Sequence, residues 1–229
     1  MPRITSCLLF AVALSLPLVP LAGQDRNQLC TEIQRHAMTV GQWASYRWTS
    51  GSLTGGTMRM AVVGRETHEG ATFYWMEVMI ADSKRGPEGR MIMQSLVSGL
   101  GPSAKGVRAV VMKQGDQPAM RMPEQMVQMM NSSKGADVSA EIVRQCQEME
   151  IVGSEDVTVP AGHFHATHMR QPRSGMDVWL RTGSSFAMVK ATMKDQGTLE
   201  LTGQGTDAKS SITETPREMT GFPGAPPPH

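Results

Sequence analysis

The side chains best equipped for chemistry fall into a few sets. His163-Phe164-His165-Ala166-Thr167-His168 is the densest histidine run. On a strand, His163 and His165 would share a face roughly 7 Å apart, close enough for one metal ion. His168 has the opposite parity and points away with Phe164 and Ala166. No Cys, Asp or Glu sits beside the pair at metal-ligand spacing, so the ligand set is incomplete. Two surface histidines on an exposed strand are the competing reading. Methionine forms the second set, with 20 in 229 residues. Met58/Met60, Met91/Met93 and Met120/Met122 make Met-x-Met pairs, and Met126, Met129 and Met130 follow closely. Thioethers bind Cu(I), but flexible methionine also fills core faces or forms adaptable apolar surfaces.

Catalytic templates do not occur: there is no G-x-S-x-G, H-E-x-x-H, P-loop or G-x-G-x-x-G. Gly51-Ser52-Leu53-Thr54-Gly55 has the wrong centre for a nucleophile elbow. Glu66, Glu69, Glu77, Glu155 and Asp156 could act as acid–base groups, and exposed strand-end positions explain them equally well. No cofactor pattern is present, and the chain reads as non-enzymatic. With 22 basic and 21 acidic residues and a net charge of +1, nothing draws it to nucleic acid or an anionic membrane.

Residues 1–23 read as a cleavable signal peptide, with Arg3, an apolar run from Cys7 to Ala22, and a small-residue exit at Ala22-Gly23. The run is short for a bilayer span, and Pro17 and Pro20 interrupt it. Leu21-Ala22-Gly23 ends as a lipoprotein signal would, but Gln24 stands where the lipidated cysteine is needed. The expected product is unanchored and periplasmic or secreted, with no transmembrane segment. Cys30 and Cys146, the cysteines left after cleavage, then form a disulfide in an oxidising compartment. Closing a loop of that length contributes about 4–5 kcal/mol on the chain-entropy model. No pattern speaks to oligomeric state.

These residues must be carried by a mainly β (α+β) domain. Residues 24–40 suggest an N-terminal helix, with Leu29, Ile33 and Ala37 on one face and Cys30 beside them. The period then becomes two, predicting strands over Trp43–Trp48, Thr57–Val63 and Phe73–Ile80. In the last of these, Tyr74, Met76, Val78 and Ile80 occupy one face and Phe73, Trp75 and Met79 the other. A strand apolar on both sides needs cover on both, met by a helix on one face and an apolar concavity on the other. Arg90–Leu100 fits a helix or a strand, Val107–Lys113 a strand, and Pro123–Met130 a helix. Strands are expected over Glu141–Val152, Glu155–Val159, His163–Arg170, Met176–Arg181, Phe186–Met193 and Thr198–Gly203. Val63-Gly64-Arg65-Glu66 and Val152-Gly153-Ser154-Glu155 repeat a V-G-x-E pattern, read as a strand-junction preference of glycine. Residues 41–215 form the β domain, a curved antiparallel sheet or incomplete β-barrel with one or two short helices. Residues 216–229 are too rich in Pro and Gly to pack and are expected to be disordered.

Gly153-Ser154-Glu155-Asp156-Val157-Thr158-Val159-Pro160-Ala161-Gly162-His163-Phe164, then Met176-Asp177-Val178-Trp179-Leu180, Met188-Val189-Lys190 and Thr198-Leu199-Glu200-Leu201, resemble exported bacterial proteins of unknown function. Those are similar to the half-barrel class that includes the periplasmic lipoprotein carrier LolA and its receptor LolB. The resemblance covers roughly residues 42–213, and departs from the pattern at Leu180-Arg181-Thr182, where such chains often carry Ser. It implies an incomplete barrel wrapping a helix or lid around an apolar concave face.

The leading expectation is therefore a binding module for an acyl chain, lipoprotein or other apolar ligand. Its expected lining is Trp43, Tyr46, Trp48, Tyr74, Trp75 and Trp179, with Met126 and Met130. The alternatives are an envelope metal-binding protein using His163/His165 or the Met-x-Met pairs, and a structural envelope protein without a small ligand. The structural alternative calls for a filled barrel with no continuous cavity.

Overall fold

The computed structural model describes residues 26–35, 38–98, 106–132, 144–184 and 186–219. Residues 1–23, expected to be a signal peptide, lie outside them. Helix α1 (Arg26–Arg35) precedes β1 (Trp43–Trp48), β2 (Thr57–His68), β3 (Ala71–Ala81), β4 (Arg90–Val97), β5 (Val107–Gln114) and β6 (Met120–Arg121). After helix α2 (Glu124–Ser132) come β7 (Glu150–Val159), β8 (Gly162–Gln171), β9 (Met176–Leu180), β10 (Met188–Met193), β11 (Gly197–Gly205) and β12 (Arg217–Glu218). All join one sheet in the order β12-β6-β5-β4-β3-β2-β1-β11-β10-β9-β8-β7, with free edges at β12 and β7. The expected curved, unclosed, mainly β architecture is the one observed. Its meanders are antiparallel, and β12 alone pairs in parallel, with β6.

The second half rolls up. The β7–β8 turn donates the Ala161 N–H to the Leu201 carbonyl of β11 at 3.1 Å, although these strands are not neighbours in the sheet. One buried cluster accordingly joins Val157, Val159 and Ala166 of the hairpin to Val189, Leu199, Leu201, Tyr46 and Trp48. The same cluster continues through Val62, Val97, Val107 and Val110 to Val127 of α2. A second cluster seats Leu29 of α1 on Met149, Met169, Val178 and Ala191. Cys30 of α1 is bonded to Cys146, with Cα atoms 5.9 Å apart, closing the long loop across that cluster.

Several segments differ from the sequence expectation. Residues 144–148 are helical, and the strand begins only at Glu150. Arg144, Gln145, Gln147 and Glu148 are strong helix formers, and Arg144 pairs with Glu148 one turn on. Arg90–Val97 is a strand because both of its flanks pair, with β3 and with β5. Neither V-G-x-E segment is a strand junction: each lies inside one strand, at a bulge. The ladder slips between Val62 and Gly64 in β2, and between Ile151 and Gly153 in β7.

The first half is covered on its outer face by an extended strap, residues 206–219, and not by a helix. Ala208 N–H donates to the Gly41 carbonyl at 2.8 Å. Gly41 has φ +97, and a Cβ there would collide with the Thr206 backbone, so glycine is required where the strap leaves the sheet. Further along, Ile212 packs with Ile92, Val111 and Ala119. Arg217–Glu218 then pairs with β6, which corrects the expectation that packing stops before Pro216. Residues 220–229 lie outside the described region.

Candidate binding surface

Strand register decides which side chains share a face, because directly opposed residues on neighbouring strands point the same way. Met60 faces Val78, Val78 faces Met93, and Met93 faces Met112. One step along the strands, Met58 faces Ile80 and Ile80 faces Met91. The next row runs from Val62 to Met76. Together these rows make an uncharged, methionine-rich stripe across β2, β3, β4 and β5. Met58, Met60, Met76 and Met112 lean on the main core cluster and remain half-buried. Met91 and Met93 are exposed, at 47% and 38%. Three strand spacings of about 4.8 Å make the stripe about 14 Å long.

The opposite face of the same strands is polar at its centre and closed. Glu77, which faces Ala61 and Gln94 on its neighbours, is 1% exposed. Its carboxylate accepts from Gln94 Nε2 at 2.8 Å, from Ser211 N–H at 2.9 Å and from Ser211 Oγ at 2.7 Å. Arg59 lies 3.7 Å away. Glu77 is thus neither a strand-end nor an exposed carboxylate; it fastens the strap. Lys113 pairs with Glu214 further along, and that hydrogen bond foremost brings the Glu214 pKa down to about 2.

The expected lining residues do not converge on one cavity. Tyr46 is fully buried, with its hydroxyl donating to the Met188 carbonyl at 3.2 Å, and burial raises its pKa. Trp48 is also in the core. Trp43 and Trp75 lie on the strap side: Trp43 Nε1 donates to Asp207 at 2.7 Å, and Trp75 Nε1 to Glu66 at 2.7 Å. Trp179 stacks on His168 with centroids 4.4 Å apart and donates its indole N–H to Glu155. Tyr74 packs against the main core cluster from the stripe side. Met126 and Met130 ride on α2, Met126 half-buried and Met130 42% exposed. Large rings alone do not bring these residues together; side-chain parity and the sheet's curl separate them.

His163 and His165 do lie on a common strand face, each facing its own partner on β7. His163 Nδ1 is 2.8 Å from Thr158 Oγ1, and His165 Nδ1 is 2.9 Å from Asp156 Oδ1. Among the described residues, no group of three His, Cys, Asp or Glu side chains is arranged to hold a metal ion. A charged cleft of about 360 Å³ opens where Glu66, His68, Arg108, Arg121, Glu124 and Glu218 meet. Within it the Trp75 indole, then His68, hold the Glu66 pKa below the ordinary carboxylate range. Asp177 is also lowered: burial pushes it up, and hydrogen bonds from Arg170 and His168 outweigh that.

The two V-G-x-E bulges place equivalent chemistry. Glu66 takes the Trp75 indole N–H and sits 2.8 Å from His68 Nε2. Glu155 takes the Trp179 indole N–H and lies 3.4 Å from His168 Nδ1. Among the described residues, no helix is long and apolar enough to cross a membrane.

No protein-family model and no curated protein matches the chain. Two solved structures are similar at low level. One, from Bacteroides fragilis, is described as an exported protein with a YmcC-like fold; it shares 14% identity at a TM-score of 0.33 over 73% of this chain and 97% of that one. The other, described as a lipoprotein from Parabacteroides distasonis, shares 11% identity at a TM-score of 0.33 over 73% of this chain and 96% of that one.

Proposed function

We propose that this is an exported, non-enzymatic binding module that takes an acyl chain, presented by a lipid or lipoprotein, along the methionine-rich stripe of β2–β5. The observation that carries the reading is the uncharged run Met60–Val78–Met93–Met112 with Met58–Ile80–Met91 beside it, partly open to solvent. Its size selects the occupant. The exposed part of the stripe, at Met91 and Met93, is far short of the roughly 800 Å² per partner of a stable protein interface. Methionine suits a flexible alkyl chain, since its unbranched thioether follows an irregular contour. In the rolled half the described inward side chains, Val157, Val159, Val189 and Leu201 among them, pack against one another. Export rests on the leader-like residues 1–23 and the Cys30–Cys146 disulfide.

The test is titration with a dansylated fatty acid, alongside native mass spectrometry of protein taken from a lipid-containing source. A saturable signal is expected, weakened about tenfold by Met93→Gln, because an amide covered by alkyl chain lacks a partner. Met129→Gln on the 63%-exposed α2 position should leave it unchanged. Free fatty acid and acylated protein are separated by the mass that co-purifies. An unsaturable signal, or equal loss in both variants, overturns the reading.

A further inference from the structure

We infer that Met91 and Met93 are oxidation sites through which two-electron oxidants such as hydrogen peroxide or hypochlorous acid switch the stripe off. This regulation rests on the binding role proposed for that stripe. The argument begins with the inventory of sulfur. The chain holds 20 methionines and three cysteines, and the cysteines among the described residues are bonded to each other. The oxidisable sulfurs that meet solvent there are thioethers. Their exposure is steeply graded: Met91 is at 47% and Met93 at 38%, whereas Met38 and Met149 are at 7% and Met169 at 0%. An oxidant reaching the folded protein therefore meets β4 long before it meets the core.

Position gives this chemistry a consequence. Met93 faces both Val78 and Met112 and so sits within an apolar row, while Met91 ends the neighbouring row, between Ile80 and Gln114. With hydrogen peroxide a thioether lone pair attacks oxygen, an S–O bond forms, the O–O bond breaks, sulfur loses two electrons and water departs. With hypochlorous acid the lone pair attacks chlorine and expels hydroxide, and water then displaces chloride from sulfur with loss of two protons to give the same sulfoxide. The sulfoxide left behind is polar and accepts hydrogen bonds. In the free protein water satisfies it at that exposure, so the fold tolerates the change. Under a bound alkyl chain the oxygen would have no donor, and that unsatisfied acceptor opposes binding. Met129 and Met130 of α2 are at 63% and 42% and should oxidise as readily, but neither belongs to the paired rows. They serve as an internal control for oxidation without switching.

The experiment treats the purified full chain with graded hydrogen peroxide, maps sulfoxides by peptide mass spectrometry, and titrates the dansylated fatty acid before and after. Sulfoxide is expected at Met91, Met93, Met129 and Met130 ahead of Met38, Met149 and Met169, with probe affinity falling at least about tenfold as the β4 sites fill. The Met129→Leu variant, altered outside the stripe, should bind the probe as the parent does and lose affinity in step with it, whereas Met91→Leu/Met93→Leu, compared with its own untreated affinity, should lose none despite oxidation on α2. The inference is overturned if Met91 and Met93 oxidise no faster than Met149 and Met169, or if affinity survives their complete conversion. An affinity loss in the double-leucine variant equal to that of the parent also overturns it. Absence of probe binding by untreated protein would instead remove the binding role itself, a separate result read before any oxidant is added.

Discussion

The two ends of the sheet are made from similar strands and finish differently. Around β7–β11 the sheet rolls until the β7–β8 turn touches β11, and Leu201 and Val189 are completely buried in the interior. Across β2–β5 it stays open on one side, leaving Met91 and Met93 exposed, and is closed on the other by an extended strap held at Glu77. The rolled end is closed by fully packed side chains, Val189, Leu201 and Met169 among them. The open end carries unbranched methionines that tolerate an unfilled neighbour. One end of this sheet is thus suited to stability and the other to contact with something else.

The largest contrast expected is between core truncations in the two regions. Leu201→Ala should cost about 3 kcal/mol, as a cavity in a completely buried site does. Met93→Ala should cost less than about 1 kcal/mol, since water already reaches it. Chemical denaturation of both variants measures the difference, and equal losses would erase the distinction between rolled and open halves. A somewhat smaller effect is expected on the strap. Glu77→Leu leaves the Ser211 N–H, the Gln94 amide and Arg59 without their carboxylate, costing about 2 kcal/mol. Limited proteolysis should then cut near Ile212 while the β7–β11 region stays resistant; an uncut strap would show that Glu77 does not fasten it.

The smallest effect is a pH dependence of the strap that covers the open half. Glu214 is lowered from an ordinary 4.5 to about 2. A depressed carboxylate contributes its stabilisation above the unfolded value, and loses it as pH falls from about 4.5 through about 2. Amide exchange at Ser211 and Arg217 should accelerate across that window, with Leu201 still protected. Lys113→Met, which removes the foremost cause of the shift, should flatten the step; a step unchanged in that variant would assign it to another group.

Much of the architecture was legible because strand alternation is a local signal. Thr57–Val63, Phe73–Ile80, Val107–Lys113 and the strands from His163 onward were recognisable from period-two patterning, with observed ends reaching several residues further in β2. The strap was not legible, since residues 206–216 have no regular period and are held by contacts to side chains more than a hundred positions away, such as Glu77. Glu77 itself carried a signal: a lone carboxylate on the Phe73–Trp75–Met79 face of a strongly apolar strand is one that folding must partner. The stripe was half visible. Met58/Met60 and Met91/Met93 share a face by their spacing alone, but that the two pairs lie two strands apart, joined through Ile80 and Val78, depends on register.

By itself the sequence determined the β-rich class, the pairing-competent strands and the cysteines available to bridge, because each follows from residue type and spacing within a short window. Only the tertiary structure decided which aromatic rings are core and which lie under the strap, and where apolar surface stays open. Those outcomes follow from register, bulges and the curl of the whole sheet, and are set by which distant strands meet.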